Sequence, residues 1–103
     1  MFLENYLDEF YYNQVLDNYK YEYLENIDIN NFKQVYDILT KYRFDYIEDI
    51  ILNYIELFEL EPSYVEEKIN ELINKLGNNY VRIIGNDMRY FTLIIDGEDI
   101  NED

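Results

Sequence analysis

Carboxylates are the side chains with which this chain could do chemistry, because the sequence contains neither histidine nor cysteine. Two sets of them stand at helical spacing: Asp45, Glu48 and Asp49, and Glu66, Glu67 and Glu71. Such oxygen ligands suit Ca²⁺ or Mg²⁺, and a pair of carboxylates can cleave a glycosidic bond. A chain of 103 residues leaves little room for a sugar cleft, and a solvated helix face explains both sets.

The other candidates for catalysis are few. Ser63 is the only serine, and its place at a predicted helix start explains it. Thr40 and Thr92 have no nearby base of the usual kind. The acidic segment 96–103 lacks the order of an EF-hand loop, because Gly97 occupies its second position. We therefore predict that the protein is not an enzyme and has no catalytic, cofactor-binding or metal-binding residues.

Charge is the strongest signal in the composition. Eight lysines and arginines stand against 23 acidic residues, which gives a net charge of −15. A net charge of magnitude about 2–8 is enough to keep a small domain in solution, and the excess destabilises the fold by self-repulsion. Nucleic acids and anionic membranes are themselves negative, so neither is predicted to be a direct partner. A basic protein surface, or a cation, is the predicted partner.

The N-terminal residues carry acids where a signal peptide would carry basic residues, and no segment is apolar over the length of a membrane span. A cytoplasmic location is therefore expected. The length and the 49% hydrophobic composition predict a single domain over residues 1–103 that has ample material for a core. The oligomeric state is left open.

Apolar residues recur every three or four positions in four segments, which predicts helices over residues 2–17, 30–42, 45–60 and 63–76. Residues 19–24 remain open between a short strand and the end of the first helix. Asn30 is the predicted N-cap of the second helix, and the segments 45–48 and 63–66 have the spacing of capping boxes. Gly77 stands where a left-handed C-cap belongs. The helix over 45–60 is predicted to be the central one.

The C-terminal quarter has a different composition. Residues 80–84 and 89–95 are rich in β-branched and aromatic side chains and flank the turn sequence 85–87. We interpret them as a β-hairpin, so the predicted fold class is α+β: about four helices with a C-terminal hairpin, and a frayed acidic tail from about residue 97. The alternative is an all-α bundle, because five residues also fit one helical face: Tyr80, Ile84, Met88, Phe91 and Ile95.

The predicted partner-binding surface is a segment in which tyrosines alternate with acids. One helix or strand cannot bury five closely spaced tyrosines on a single face, so some rings should remain at the surface, where aromatic rings beside acids suit a basic partner. Rings that cover the edge of the core are the alternative. The predicted contact residues are Tyr11, Tyr12, Asp17, Tyr19, Tyr21, Glu22, Tyr23 and Glu25.

In size, charge and composition the whole chain resembles the small acidic inhibitors encoded by phages, including anti-CRISPR proteins and other DNA mimics. The resemblance rests on no motif, so no functional residue is carried over from it. It implies an inhibitor that occupies a basic, nucleic-acid-binding site on a partner protein. Two alternatives remain open: an immunity protein that neutralises a basic nuclease toxin, and a non-enzymatic helical adaptor whose acidity is incidental.

Overall fold

The computed structural model describes residues 1–100, and all regular structure in this range is helical. Its α-helices are α1 (Glu9–Asn18), α2 (Tyr21–Glu25), α3 (Ile29–Lys41), α4 (Ile47–Asn53), α5 (Pro62–Leu76), α6 (Tyr80–Asn86) and α7 (Tyr90–Asp96). They are joined by 3₁₀ segments at Phe2–Asn5, Ile55–Glu59 and Gly77–Asn79. None of the helices in residues 1–100 is both long enough and apolar enough to cross a membrane.

An aromatic cluster joins the N-terminus to α3 and to the 3₁₀ segment 55–59. The ring of Phe32 stacks on Phe58 with centroids 4.6 Å apart, and Phe2 and Tyr6 meet it edge-on at 5.1 and 5.0 Å. Phe32 and Phe58 are fully buried, and burial of such a side chain stabilises a fold by about 1.5–3 kcal/mol. The cluster therefore packs α3 against the segment 45–60, which the sequence predicted to be central and in which five residues are buried: Ile50, Ile51, Ile55, Leu57 and Phe58.

The helix predicted over residues 45–60 is broken at Tyr54. The α-helix ends at Asn53, and the backbone of Tyr54 (φ −137°, ψ 45°) leads into the 3₁₀ segment 55–59. In that segment Ile55 and Leu57 both face the core and are buried. A continuous α-helix would turn these two side chains roughly 160° apart, so the break allows both of them to be buried.

Residues other than the predicted ones begin the helices. Asp8 and Asp28 cap α1 and α3, and each carboxylate accepts a hydrogen bond from the backbone N–H three residues later, at 2.9 and 3.1 Å. The predicted N-cap Asn30 lies inside α3. Helix α4 begins at Ile47 and α5 at Pro62 without side-chain caps, so both predicted capping boxes are wrong. The extended backbone of Asp8 also separates the first 3₁₀ segment from α1, where one helix was predicted.

The predicted C-terminal β-hairpin is wrong, and the α+β fold class is wrong with it. Residues 80–84 and 89–95 lie in or beside α6 and α7, so the described chain is all-α, as the alternative had it. Ile84 on α6 and Phe91 and Ile94 on α7 are fully buried. Burial of these side chains outweighs the strand preference of β-branched residues, because such propensities span only about 1 kcal/mol. The sequence 85–87 separates two helices instead of two strands.

The frayed tail predicted from about residue 97 lies partly outside the described residues. Up to residue 100 the chain is held in place: Gly97 adopts a left-handed conformation (φ 72°), and the Glu98 N–H donates to the Leu93 carbonyl oxygen at 2.9 Å. Ile100 is buried, and its carbonyl oxygen accepts a hydrogen bond from Lys75 Nζ at 3.0 Å. Residues 97–100 thus belong to the packed structure.

Helix α3 ends in a Schellman motif built around an arginine. The Arg43 N–H donates to the Thr40 carbonyl oxygen at 3.0 Å, and the Phe44 N–H donates to that of Leu39 at 3.1 Å. This pattern requires a left-handed residue, usually glycine, and Arg43 occupies it with φ 68°. A residue with a Cβ is strained in this conformation by about 1–2 kcal/mol. Arg43 is exposed, so no burial of its side chain offsets the strain.

We expect Arg43→Gly to raise the free energy of unfolding by about 1 kcal/mol, because the relief of backbone strain exceeds the added flexibility of the unfolded chain. Urea unfolding followed by circular dichroism measures the change. Arg43→Ala is the matched control, since it removes the same charge and keeps the strain. Equal stability of the two variants would show that the arginine backbone is not strained.

Candidate interaction surface

The residues predicted to contact a partner lie on α1, α2 and the turn between them, and the structure divides them into two groups. Exposed side chains belong to Asp17, Tyr21, Glu22 and Glu25. Half-buried rings belong to Tyr11, Tyr12, Tyr19 and Tyr23. Of the five tyrosines, Tyr21 is the one whose ring is left at the surface, 51% exposed. The role of these residues in binding stays a prediction.

Tyr19 and Tyr23 attach the start of the chain to the middle of the fold. Their rings stack with centroids 6.1 Å apart. The Tyr19 hydroxyl donates to the Leu52 carbonyl oxygen at 2.9 Å, and the Tyr23 hydroxyl donates to the Glu59 carboxylate. Burial raises the pKa of both phenols, and for Tyr23 the bond to Glu59 raises it further. These two rings therefore hold structure together, as the core-edge alternative expects.

The same contacts bring additional acids to this side of the molecule. Glu56 and Glu59 on the 3₁₀ segment 55–59 are exposed, and their charges act on the phenols of Tyr19 and Tyr23. The sequence separates them from α2 by about thirty positions, so no pattern in the chain indicated their proximity. We call the exposed residues of α2 itself, Tyr21, Glu22 and Glu25, the α2 acidic face.

Tyr11 reaches in the other direction, towards α4. Its hydroxyl donates to Asp49 Oδ1 at 2.8 Å, and this hydrogen bond is the main cause of its raised pKa. Burial raises the pKa of Tyr12, and the neighbouring carboxylate of Glu4 adds to the effect. The half-buried tyrosines of α1 thus present their hydroxyl groups to carboxylates and are not simply solvated.

A groove of about 390 Å³ lies where α1 meets the start of α4. Four tyrosines line it, together with the first carboxylate set that the sequence singled out: Tyr6, Tyr11, Tyr36 and Tyr46, with Asp45, Glu48 and Asp49. We call it the α1–α4 groove. Helical spacing predicted the grouping of the acids, and Tyr46 adjoins Asp45 in the sequence, but only the fold brings Tyr6, Tyr11 and Tyr36 to them.

Phe10 is the exposed aromatic residue that sequence reasoning missed. It is one of the apolar residues whose spacing predicted the first helix, yet its side chain is 65% exposed. The cause is the break at Asp8, which changes the phase of α1 relative to residues 2–5. The ring lies edge-on to Tyr11 with centroids 5.6 Å apart, so it stands beside the α1–α4 groove.

Among residues 1–100, no group of three or more acidic side chains is arranged to hold a metal ion. The surface instead combines carboxylates with aromatic rings. Carboxylates attract cations, and the faces of aromatic rings bind the flat or quaternary cations of organic groups. This arrangement suits the recognition of basic side chains.

Comparison of the chain with known protein families, characterised proteins and solved structures found no match.

We expect Tyr23→Phe to lower the free energy of unfolding at pH 7 by about 1 kcal/mol, because it removes the donor to Glu59. The pKa of Tyr23 in the folded protein lies above its ordinary value of 10.0. The stabilisation by the hydroxyl is therefore complete below pH 10 and is lost as the pH rises towards the folded value. The stability gap between the wild type and the variant should narrow above pH 10, as measured by urea unfolding.

Tyr21→Phe is the matched control, because it makes the same chemical change in an exposed ring two residues away. Its effect on unfolding should be within about 0.5 kcal/mol. A gap between the wild type and Tyr23→Phe that stays constant from pH 7 to pH 11 would contradict the role given to the hydroxyl.

Proposed function

We propose that this protein is an acidic inhibitor that binds a basic, nucleic-acid-binding site on a partner protein and blocks the binding of nucleic acid there. The supporting observation is the location of the charge. No charged or polar side chain is buried among residues 1–100, so the acids of this range all lie at the surface. The core is held by apolar side chains, and the fold does not need the excess of acids.

The basic residues cannot neutralise this surface. The chain has 23 acidic and only eight basic residues, so most of its carboxylates have no lysine or arginine of their own. Ion pairs among the described residues include Lys41 with Glu66 at 2.7 Å, Lys68 with Glu71 at 3.0 Å and Arg89 with Asp87 at 2.8 Å. A surface that repels itself lowers stability, which supports a use for the charge outside the fold.

The α2 acidic face has the chemistry that such a contact needs. Its carboxylates, Glu22 and Glu25, lie three residues apart on α2, and the exposed ring of Tyr21 accompanies them. Complementary charge accelerates the encounter with a basic partner and rejects wrong partners. An aromatic ring that becomes buried in the contact supplies the short-range energy that charge alone does not.

Competition with nucleic acid tests the inhibitor function. The protein is immobilised and used to capture partners from bacterial lysate at low salt, and a captured protein is then purified. Its binding to labelled DNA or RNA is measured with increasing amounts of the acidic protein. We expect the nucleic acid to be displaced completely and competitively. A ternary complex in which the partner holds both would contradict the proposal.

Charge steering gives a second, more local prediction. Asp17→Asn, Glu22→Gln and Glu25→Gln together should slow association with the captured partner about tenfold at about 0.01 M ionic strength. At about 0.15 M the screening length falls from about 30 Å to about 8 Å, so the wild type should lose most of its advantage. Stopped-flow or surface plasmon resonance measures the rates.

The control combines Glu67→Gln, Asp96→Asn and Glu98→Gln, which are exposed residues on α5 and around the end of α7. It removes the same charge elsewhere, and we expect it to slow association by less than about threefold. Equal slowing by both triple variants would place the contact outside the predicted segment. A rate that does not respond to salt would exclude charge steering altogether.

A further inference from the structure

The α1–α4 groove combines the two kinds of group that bind a guanidinium ion. Tyrosines from separate parts of the chain line it together with Glu48 and Asp49. A guanidinium group stacks on aromatic rings and donates paired hydrogen bonds to a carboxylate. The volume of about 390 Å³ falls in the range of about 300–1,000 Å³ in which proteins hold small ligands.

Hydrogen bonds within the protein fix the carboxylates before anything binds. Glu48 Oε2 accepts from the Asp8 N–H at 2.8 Å, and Asp49 Oδ1 accepts from the Tyr11 hydroxyl at 2.8 Å. The Asp8 carboxylate is held in turn by the Tyr11 N–H at 2.9 Å. Each bond uses one oxygen of its carboxylate. A site whose groups are already oriented binds more tightly, because less conformational freedom is lost on binding.

An exposed aromatic ring stands beside the groove. Phe10 is 65% exposed and lies edge-on to Tyr11, the residue that bonds Asp49. Along α1, Asn13 and Asp17 follow it at steps of three and four and are exposed as well. The outer face of α1 therefore runs from the groove to Asp17, one of the residues predicted to contact a partner.

We propose that the α1–α4 groove receives an arginine side chain of the partner protein, with Phe10 packed against that side chain. The inference rests on the proposed function, since it identifies where and how the basic partner is held. Charge complementarity supports a basic occupant. The tyrosine lining favours arginine over lysine, whose ammonium group cannot stack or form the paired bond. The exposed Phe10 and the continuous outer face of α1 support a protein as the source, because a small cation would leave both uncovered.

Nuclear magnetic resonance titration with two blocked hexapeptides tests the proposal. One alternates arginine with glycine and the other alternates lysine with glycine, both at about 0.02 M ionic strength. We expect amide shifts of residues 8–11 and 45–49 to saturate together, with the arginine peptide bound at least about fivefold more tightly. Phe10→Ala and Glu48→Gln should each weaken the arginine peptide about fivefold or more.

Ile29→Ala and Glu67→Gln are the matched controls. Ile29 is exposed to a similar extent as Phe10, at 53%, and Glu67→Gln removes one exposed carboxylate on α5. Neither should change the affinity by more than about twofold. Thermal unfolding of all four variants verifies that the fold is intact.

Four results would overturn the proposal. Tight binding of the arginine peptide that is insensitive to Phe10→Ala and Glu48→Gln would place the contact elsewhere and leave the proposed function standing. Equal affinity of the two peptides would overturn the choice of arginine. Binding of spermidine with the affinity of the arginine peptide and the same dependence on Phe10 would overturn it as well. If neither peptide binds at this ionic strength, this proposal fails, and the competition with nucleic acid decides the proposed function separately.

Discussion

Like-charge repulsion is the constraint on which the rest of this structure depends. A chain of 103 residues with a net charge of −15 folds only if apolar burial outweighs the mutual repulsion of its carboxylates. Among residues 1–100 no charged or polar side chain is buried, so the core consists of apolar side chains. Aromatic rings around Phe32 supply much of the buried area, and the acids are left outside, where water and salt screen them.

Tyrosine compensates for the shortage of basic residues. A carboxylate at the surface of most proteins finds lysine or arginine donors, but here eight basic residues face 23 acids. Tyrosine hydroxyls serve some of these acids instead: Tyr11 donates to Asp49, and Tyr23 donates to Glu59. Each ring packs against the core while its hydroxyl holds an acid in place. The fold thereby orients carboxylates without neutralising them.

Sequence periodicity predicted the long helices well, because each has one continuous apolar face. Helix α5 was predicted over 63–76 and is observed over Pro62–Leu76, with Gly77 at positive φ after it. Short elements were predicted poorly, because tertiary burial decides them. Ile84 and Phe91 sit in segments with strand-like composition, yet packing against the core makes them helical.

The candidate surface, too, could be predicted from the sequence only in part, because tertiary contacts assemble it. Spacing along the chain indicated the set Asp45, Glu48 and Asp49. It did not indicate that Tyr6, Tyr11 and Tyr36 lie beside these acids. Glu56 and Glu59 meet Tyr19 and Tyr23 only through the fold. The exposure of Phe10 could not be predicted either, because the capping role of Asp8, which changes the phase of the helix, does not show in a hydrophobic pattern.

The separation of an apolar core from a charged exterior has a consequence for evolution. Substitutions on the outer faces of α1 and α2 touch nothing that the fold depends on, so they are free to accumulate while the rings around Phe32 are retained. A protein built in this way can follow a changing target by altering its exterior alone. Related chains should therefore diverge fastest at positions such as Phe10, Asp17 and Tyr21, and they should keep their aromatic centre long after those positions have ceased to be recognisable.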